Sequence, residues 1–264
     1  MRQPKIKKSP RSATIAAAFD RADAYHQAAE TQKEIARRLD QRLAGLPLTV
    51  DAPNTLEIGC GTGFLSRKMV ERYPEGDHLL TDIAPAMLSR CRNNLDHLPG
   101  RIRYAVMNGE RPVLPRRYHL IISSMAFQWF ENLPGALQRL AEHLEPGGRL
   151  LFSTLGDGAF AEWRRFCTDH SLPFGRPDYP TRTELKALWP QDGKGVTEEE
   201  HLRITQPSAL DFLRHLKQIG AHPSGPNHQP AESGKLRAAL RHTHPEGFEV
   251  TYHVLYGMFQ KSPA

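Results

Sequence analysis

Three glycines alternate with Cys60 and Thr62 in Gly59-Cys60-Gly61-Thr62-Gly63, directly behind the apolar run Thr55-Leu56-Glu57-Ile58. A second run, His78-Leu79-Leu80-Thr81, ends on Asp82. A strand closing on a glycine turn beside a strand closing on an acid can receive a nucleoside, because glycine lets backbone approach the ligand and the carboxylate accepts from both ribose hydroxyls. The spacing departs from G-x-G-x-x-G, which cradles a pyrophosphate. Glu57 would face the ligand at short range, which opposes a pyrophosphate and suits an ammonium or sulfonium.

S-adenosylmethionine carries both cations and is the cofactor this spacing favours; a tight strand-helix turn in another α/β protein is the plainer alternative. Cys60 is in the loop, but a small residue is needed there and no base adjoins it in sequence, so packing is preferred to nucleophilic chemistry. Cys60, Cys91 and Cys167 show no paired spacing and suit a reducing, cytoplasmic compartment. The histidines, His242-Thr243-His244 included, have no metal-ligand spacing, and no metal is expected.

Positioning such a loop takes alternating strands and helices. Strands are expected at Thr55–Ile58, up to Asp82, at about Ile102–Met107, at Tyr118–Ser123 and at Arg149–Thr154. Helices are expected at about Phe64–Arg72, from Pro85, and around Leu133–Leu144 ahead of Glu145-Pro146-Gly147-Gly148. That alternation predicts a mostly parallel sheet covered on both faces. Thr14 to about Leu43 reads as helix, broken in two, with Tyr25 midway in either a packing turn or a flap. Phe160–His170 and Ser208–Ile219 read as helices, Gln191–Glu200 as an exposed turn, Leu202–Gln206 as a short strand and Phe248–Phe259 as an antiparallel closing strand.

The expected organisation is a flexible basic tail over 1–13 and one domain over 14–259, with a helical cap at 14–46, an inserted lid at about 156–200, and a short tail at 260–264. At 264 residues with 39% hydrophobic content the chain can bury a full core. Apolar runs stay short of the roughly 20 residues of a membrane span, and the basic N-terminal stretch lacks the apolar centre of a secretory signal. A net charge of +6 and a pI near 9.3 admit acidic partners. The basic residues are dispersed, so neither a nucleic-acid nor a membrane partner is expected.

The glycine loop, Asp82 and Pro146-Gly147-Gly148 resemble the class I, Rossmann-like S-adenosylmethionine-dependent methyltransferases. Four further segments are more specific. These are Ala18-Phe19-Asp20-Arg21-Ala22 with Tyr25 and Gln32; Ser123-Ser124-Met125-Ala126-Phe127-Gln128-Trp129; Leu213-Arg214-His215-Leu216-Lys217-Gln218-Ile219-Gly220-Ala221; and Thr251-Tyr252-His253. Together they resemble the malonyl-acyl-carrier-protein O-methyltransferase (BioC) family, which implies a seven-stranded sheet and methylation of the free malonyl carboxylate on the way to biotin. The implied product of the cofactor is S-adenosylhomocysteine. The implied partner is malonyl-acyl carrier protein, with malonyl-CoA as a substitute, met by a monomer with Lys217 on its docking surface.

Cofactor contacts are implied for Tyr25, Glu57, Gly59, Cys60, Gly61 and Gly63, and then for Asp82, Ile83, Met87, Asn108, Gly109 and Ser124. Catalytic roles are implied for Tyr25, Gln128, Arg176 and Tyr252. Two positions depart from the family pattern. Asn108 stands where an aspartate is usual, its carbonyl oxygen being suited to the adenine N6 amine, and Ser124 stands where an asparagine is common. The family's arginine for the distal carboxylate has no direct counterpart, since Asp178-Tyr179 falls on that register; Arg176 is the preferred substitute and Arg182 its rival. Other readings are a small-molecule carboxylate methyltransferase of the trans-aconitate type and a carrier-binding scaffold without catalysis.

Overall fold

The computed structural model describes residues 9–46, 48–221, 231–241 and 246–264; His242-Thr243-His244 and the first eight residues of the basic tail lie outside them. Seven strands form one sheet in the order β3-β2-β1-β4-β5-β7-β6. They are β1 (Asn54–Ile58), β2 (Asp77–Asp82), β3 (Arg101–Val106), β4 (Tyr118–Ser124), β5 (Leu144–Leu155), β6 (Gly193–Gln206) and β7 (Phe248–Lys261). The first five run parallel, β7 pairs antiparallel with β5, and β6 pairs antiparallel with β7. The chain leaves β1 for β2 and β3 on one side and then crosses to β4 on the other, so the β1 and β4 ends open a crevice, the usual ligand site of such sheets.

Successive side chains of a strand face opposite layers. In β4, Leu120 and Ile122 therefore pack with α3 (Glu30–Ala44), α4 (Phe64–Arg72) and α5 (Pro85–Leu95), whereas Ile121 packs with Leu137 and Leu140 of α6 (Leu133–Glu142). Ile35, Leu39 and Leu43 recur at helical spacing and are at most 1% exposed, which puts the apolar stripe of α3 on the sheet. Two short helices precede α3: α1 (Pro10–Asp20) and α2 (Tyr25–Ala28). Ser9 caps α1 by accepting the Ser12 N–H, so helix begins inside the stretch expected to be a flexible tail. The remaining helices are α7 (Ala161–Asp169), α8 (Arg182–Ala187), α9 (Ala209–Gln218) and α10 (Ser233–Ala239).

Three sequence expectations need correction. Gln191–Glu200 is no exposed turn: from Gly193 onward it belongs to β6, which pairs continuously with β7 through Gln206. Its charges are those of an edge strand held by ion pairs, Glu198 to Arg42 at 2.9 Å and Glu200 to Arg38. The sheet therefore closes on two antiparallel strands where one was expected. Glu145-Pro146-Gly147-Gly148 is a bulge inside β5, where pairing jumps from Tyr118–Leu144 to Leu120–Arg149.

Candidate active site

β1 delivers the chain into the glycine loop, and the backbone there is tied on both sides. Ser123 Oγ donates to the Ile58 carbonyl at 2.8 Å, Thr81 Oγ1 donates to the Glu57 carbonyl at 2.7 Å, and the Cys60 N–H reaches the Thr81 carbonyl at 2.9 Å. Gly59 has φ +70°, and a Cβ there would fall 2.5 Å from Ala126 Cβ, so the loop after β4 could not approach as closely past any larger residue. Asp82 Oδ2 accepts the Gly61 N–H at 3.0 Å and Oδ1 the Ala84 N–H at 2.9 Å. The Ile83 backbone N–H is a third donor to this carboxylate, and two oxygens with about four acceptor sites still leave room for a further donor. Burial raises this carboxyl to about 6 against those hydrogen bonds.

A cleft opens at this point, lined by Gly59, Gly61, Asp82, Ile83 and Met87 and by Asn108, Gly109 and Ser124. Tyr25 closes one wall. Beside it a small recess is lined by Gln32, Glu57, Cys60 and again Tyr25, Gly59, Gly61 and Ser124. Glu57 is 1% exposed, and burial pushes its carboxyl up to about 8, partly offset by a hydrogen bond from Ser66. Burial, then the charges of Asp82 and Cys60, hold the Tyr25 hydroxyl far above its ordinary pKa, so it remains a donor. The Cys60 thiol is likewise held well above its usual value by its contact with Cys91 and by burial, which leaves it without nucleophilic character.

The recess has a distinct chemical demand. Glu57 Oε2 and Gln32 Oε1 are buried and accept no hydrogen bond, which is costly unless a ligand supplies a donor. A cationic ammonium beside them would meet that demand, with Asp82 available to ribose hydroxyls and Asn108 and Gly109 to a flat base. The residues fit S-adenosylmethionine.

Four expected residues lie outside the cleft and recess walls. Gly63 is the left-handed N-cap of α4. Gln128 turns its amide back on its own loop, Nε2 donating to the Met125 carbonyl at 2.7 Å; Met125 has φ +55°, and that bond helps hold it. Tyr252 is 1% exposed in β7, and Arg176 donates from Nη1 to the Ala221 carbonyl at 2.7 Å. Both belong to a buried polar group in which Tyr252 is in electrostatic range of Tyr179, Arg176 and Tyr25 and in side-chain hydrogen-bonding range of Gln32. Conversely, Ile15, Phe19 and Phe130 line the cleft unforeseen, and Trp129, from the segment after β4, lines it with them. Ile15 and Phe19 differ by four residues, a spacing that reads identically whether it covers a core or a ligand.

Residues 55–148 match the family described as a methyltransferase domain. The malonyl-[acyl-carrier protein] O-methyltransferase of Magnetococcus marinus is 44% identical over 99% of this chain and 97% of its own length. The chain belongs to the malonyl-[acyl-carrier protein] O-methyltransferase family. The biotin biosynthesis bifunctional protein BioCD of Bordetella avium is 43% identical over 94% of the chain, which spans 52% of that longer protein. Among solved structures, the N-methyltransferase NodS of Bradyrhizobium japonicum, in complex with S-adenosylhomocysteine, superposes with a TM-score of 0.53 at 14% identity, covering 96% of this chain and 99% of NodS. The fold is the Rossmann-like class I methyltransferase fold.

Within this methyltransferase, two groups bracket the chain beyond β5. The Arg182 guanidinium donates to the Thr197 carbonyl at 3.1 Å and pairs with Glu199 at 3.5 Å, so it is engaged with β6. Lys217 is exposed in the last turn of α9. Among the described residues no helix is long and apolar enough to cross a membrane.

Proposed function

We propose that the protein transfers a methyl group from S-adenosylmethionine to the free carboxylate of malonyl-acyl carrier protein, forming the methyl ester at an early step of biotin synthesis. The observation that carries this reading is the 44% identity to the Magnetococcus enzyme over nearly the whole of both chains. The unmet acceptors of Glu57 and Gln32 support the cofactor half of it.

The sulfonium, when bound, supplies an already activated methyl, and a malonyl carboxylate is ionised at neutral pH, so no general base is required. The protein's work is orientation and exclusion of water. Glu57 and Gln32 hold the ammonium and Asp82 the ribose. Tyr25 separates the recess from the cleft and keeps a hydroxyl donor there for the substrate. Arg176, beside Tyr179 and Tyr252, steers the distal carboxylate with one pair of donors while the other oxygen attacks; a clamp on both oxygens would stabilise the ground state. Phe19 and Trp129, whose rings meet edge to face 5.8 Å apart, roof the cleft against water. The exposed Lys217 of α9 belongs to the surface that receives the acidic carrier.

The reading is tested by offering radiolabelled S-adenosylmethionine with malonyl-acyl carrier protein, malonyl-CoA and trans-aconitate separately. Methyl ester on either malonyl thioester is expected, and labelling of trans-aconitate alone would replace the substrate assignment.

A further inference from the structure

The loop after β3 presents an amide of fixed orientation to the cleft. Asn108 Oδ1 lies 3.0 Å from the Glu110 backbone nitrogen, and an N–H must meet an oxygen, so chemistry decides which end of the amide is which. The surroundings leave the turn little freedom. The Glu110 carboxylate accepts the Glu131 and Asn132 N–H groups, each at 3.0 Å, and its carbonyl accepts the Arg139 guanidinium at 3.0 and 2.8 Å. A Cβ on Gly109 would fall 2.1 Å from Ile58 Cγ2. Among the described residues nothing accepts from Asn108 Nδ2, and Asn108 lines the cleft. Turning the amide over would set Nδ2 against the Glu110 N–H, two donors face to face.

Building on the cofactor placement proposed above, we infer that Asn108 recognises the adenine by donating from Nδ2 to the ring acceptor N1, and that the exocyclic 6-amino group is not what this chain reads. A carboxylate in the same turn has the opposite polarity: one oxygen keeps the Glu110 N–H and the other accepts from the 6-amine. Asn108→Asp therefore preserves the turn and switches the recognised atom.

The test is a binding titration of the full chain without turnover. S-adenosylhomocysteine is compared with its 6-deamino analogue, which keeps N1, and its 1-deaza analogue, which keeps the amine. Deleting the amine should lower wild-type affinity by about twofold or less and that of Asn108→Asp by about tenfold or more, the range of a hydrogen bond to a charged acceptor. Replacing N1 by C–H should cost the wild type about fivefold, and much less in Asn108→Ala. Equal loss on amine deletion in wild type and Asn108→Asp would overturn the inference and assign the amine to the second lone pair of Oδ1. Failure of folded wild-type protein to bind S-adenosylhomocysteine at all would remove the cofactor placement and the inference together.

Discussion

The Asp20 carboxylate accepts the Ala86 N–H at 2.9 Å, joining the last residue of α1 to the first turn of α5. Arg90 of α5 returns the contact, donating to the carbonyls of Phe19, Asp20 and Ala22. The helix that carries Ile15 and Phe19 over the cleft is thereby fixed to the helix that carries Met87 beneath it. Asp20→Ala is expected to cost about 1 kcal/mol of stability, as for a lost helix cap, and to weaken S-adenosylhomocysteine binding as well; Asp20→Asn, which keeps an acceptor, should retain most of both. Urea unfolding and titration check this, and wild-type affinity in Asp20→Ala would show that α1 does not roof the site.

Glu57 makes cofactor affinity depend on pH. Its carboxyl is raised to about 8 by burial, so the free protein holds a proton there at pH 7. A cationic ligand favours the carboxylate; binding should therefore release a proton, and affinity should rise as pH climbs from about 6 to 8. Calorimetry in buffers of different ionisation enthalpy reads the release directly, and Glu57→Gln should lose both the release and much of the affinity. Stability has the opposite slope. Folded protein binds this proton more tightly than unfolded chain does, so stability of the free protein should fall as pH rises from about 4.5 to 8, less steeply in Glu57→Gln.

Asp82→Ala should weaken cofactor binding by about 1.5–3 kcal/mol, the worth of hydrogen bonds to a charged acceptor. Part of that loss is indirect, because Asp82 also receives the Gly61 N–H and so holds the glycine loop. Asp82→Asn separates the two effects: it keeps a carbonyl for one donor while removing the charge. Unchanged affinity in a folded Asp82→Ala protein would take the ribose away from this residue.

The parallel part of the sheet was legible because its strands are short runs separated by segments of helical spacing, and β1 and β2 close on a glycine and an acid. Glu57, Gly59, Gly61 and Asp82 were legible for the same reason: they sit at strand ends, where topology alone brings them together. The strand at Leu202–Gln206 was legible too, but the first half of β6 was not, since a run of lysine and glutamate normally marks solvent. Its partners Arg38 and Arg42 lie far away in sequence on α3, and only the fold brings them to Glu200 and Glu198. Gln128 follows β4 at the catalytic rim, yet the left-handed turn at Met125 claims its amide, a backbone event that side-chain spacing does not encode.

Arg176 carries the prediction that bears most directly on substrate. Its guanidinium is pulled below its ordinary pKa by burial, though it remains charged at neutral pH, and it lies near Tyr179 and Tyr252. A buried cation near tyrosine hydroxyls is stabilised by an arriving carboxylate. Arg182 is held by Thr197 and Glu199 and would have to abandon β6 to reach the cleft, whereas Arg176, also outside the cleft walls, would have to turn from the Ala221 carbonyl. Arg176→Ala is therefore expected to lower kcat/KM on malonyl thioester by about 10–100-fold while leaving S-adenosylhomocysteine affinity nearly intact, and Arg182→Ala should do less. Arg176→Lys should recover only part, since a point charge cannot reproduce the planar two-donor fork. Product inhibition gives an independent reading: methylation erases the charge that Arg176 holds, so the wild type should release the ester readily, and the gap between acid and ester affinity should narrow in Arg176→Ala. Wild-type kinetics in Arg176→Ala would end its steering role, and a selective loss in Arg182→Ala would transfer that role to Arg182 and require the chain at about 156–200 to rearrange when the carrier docks.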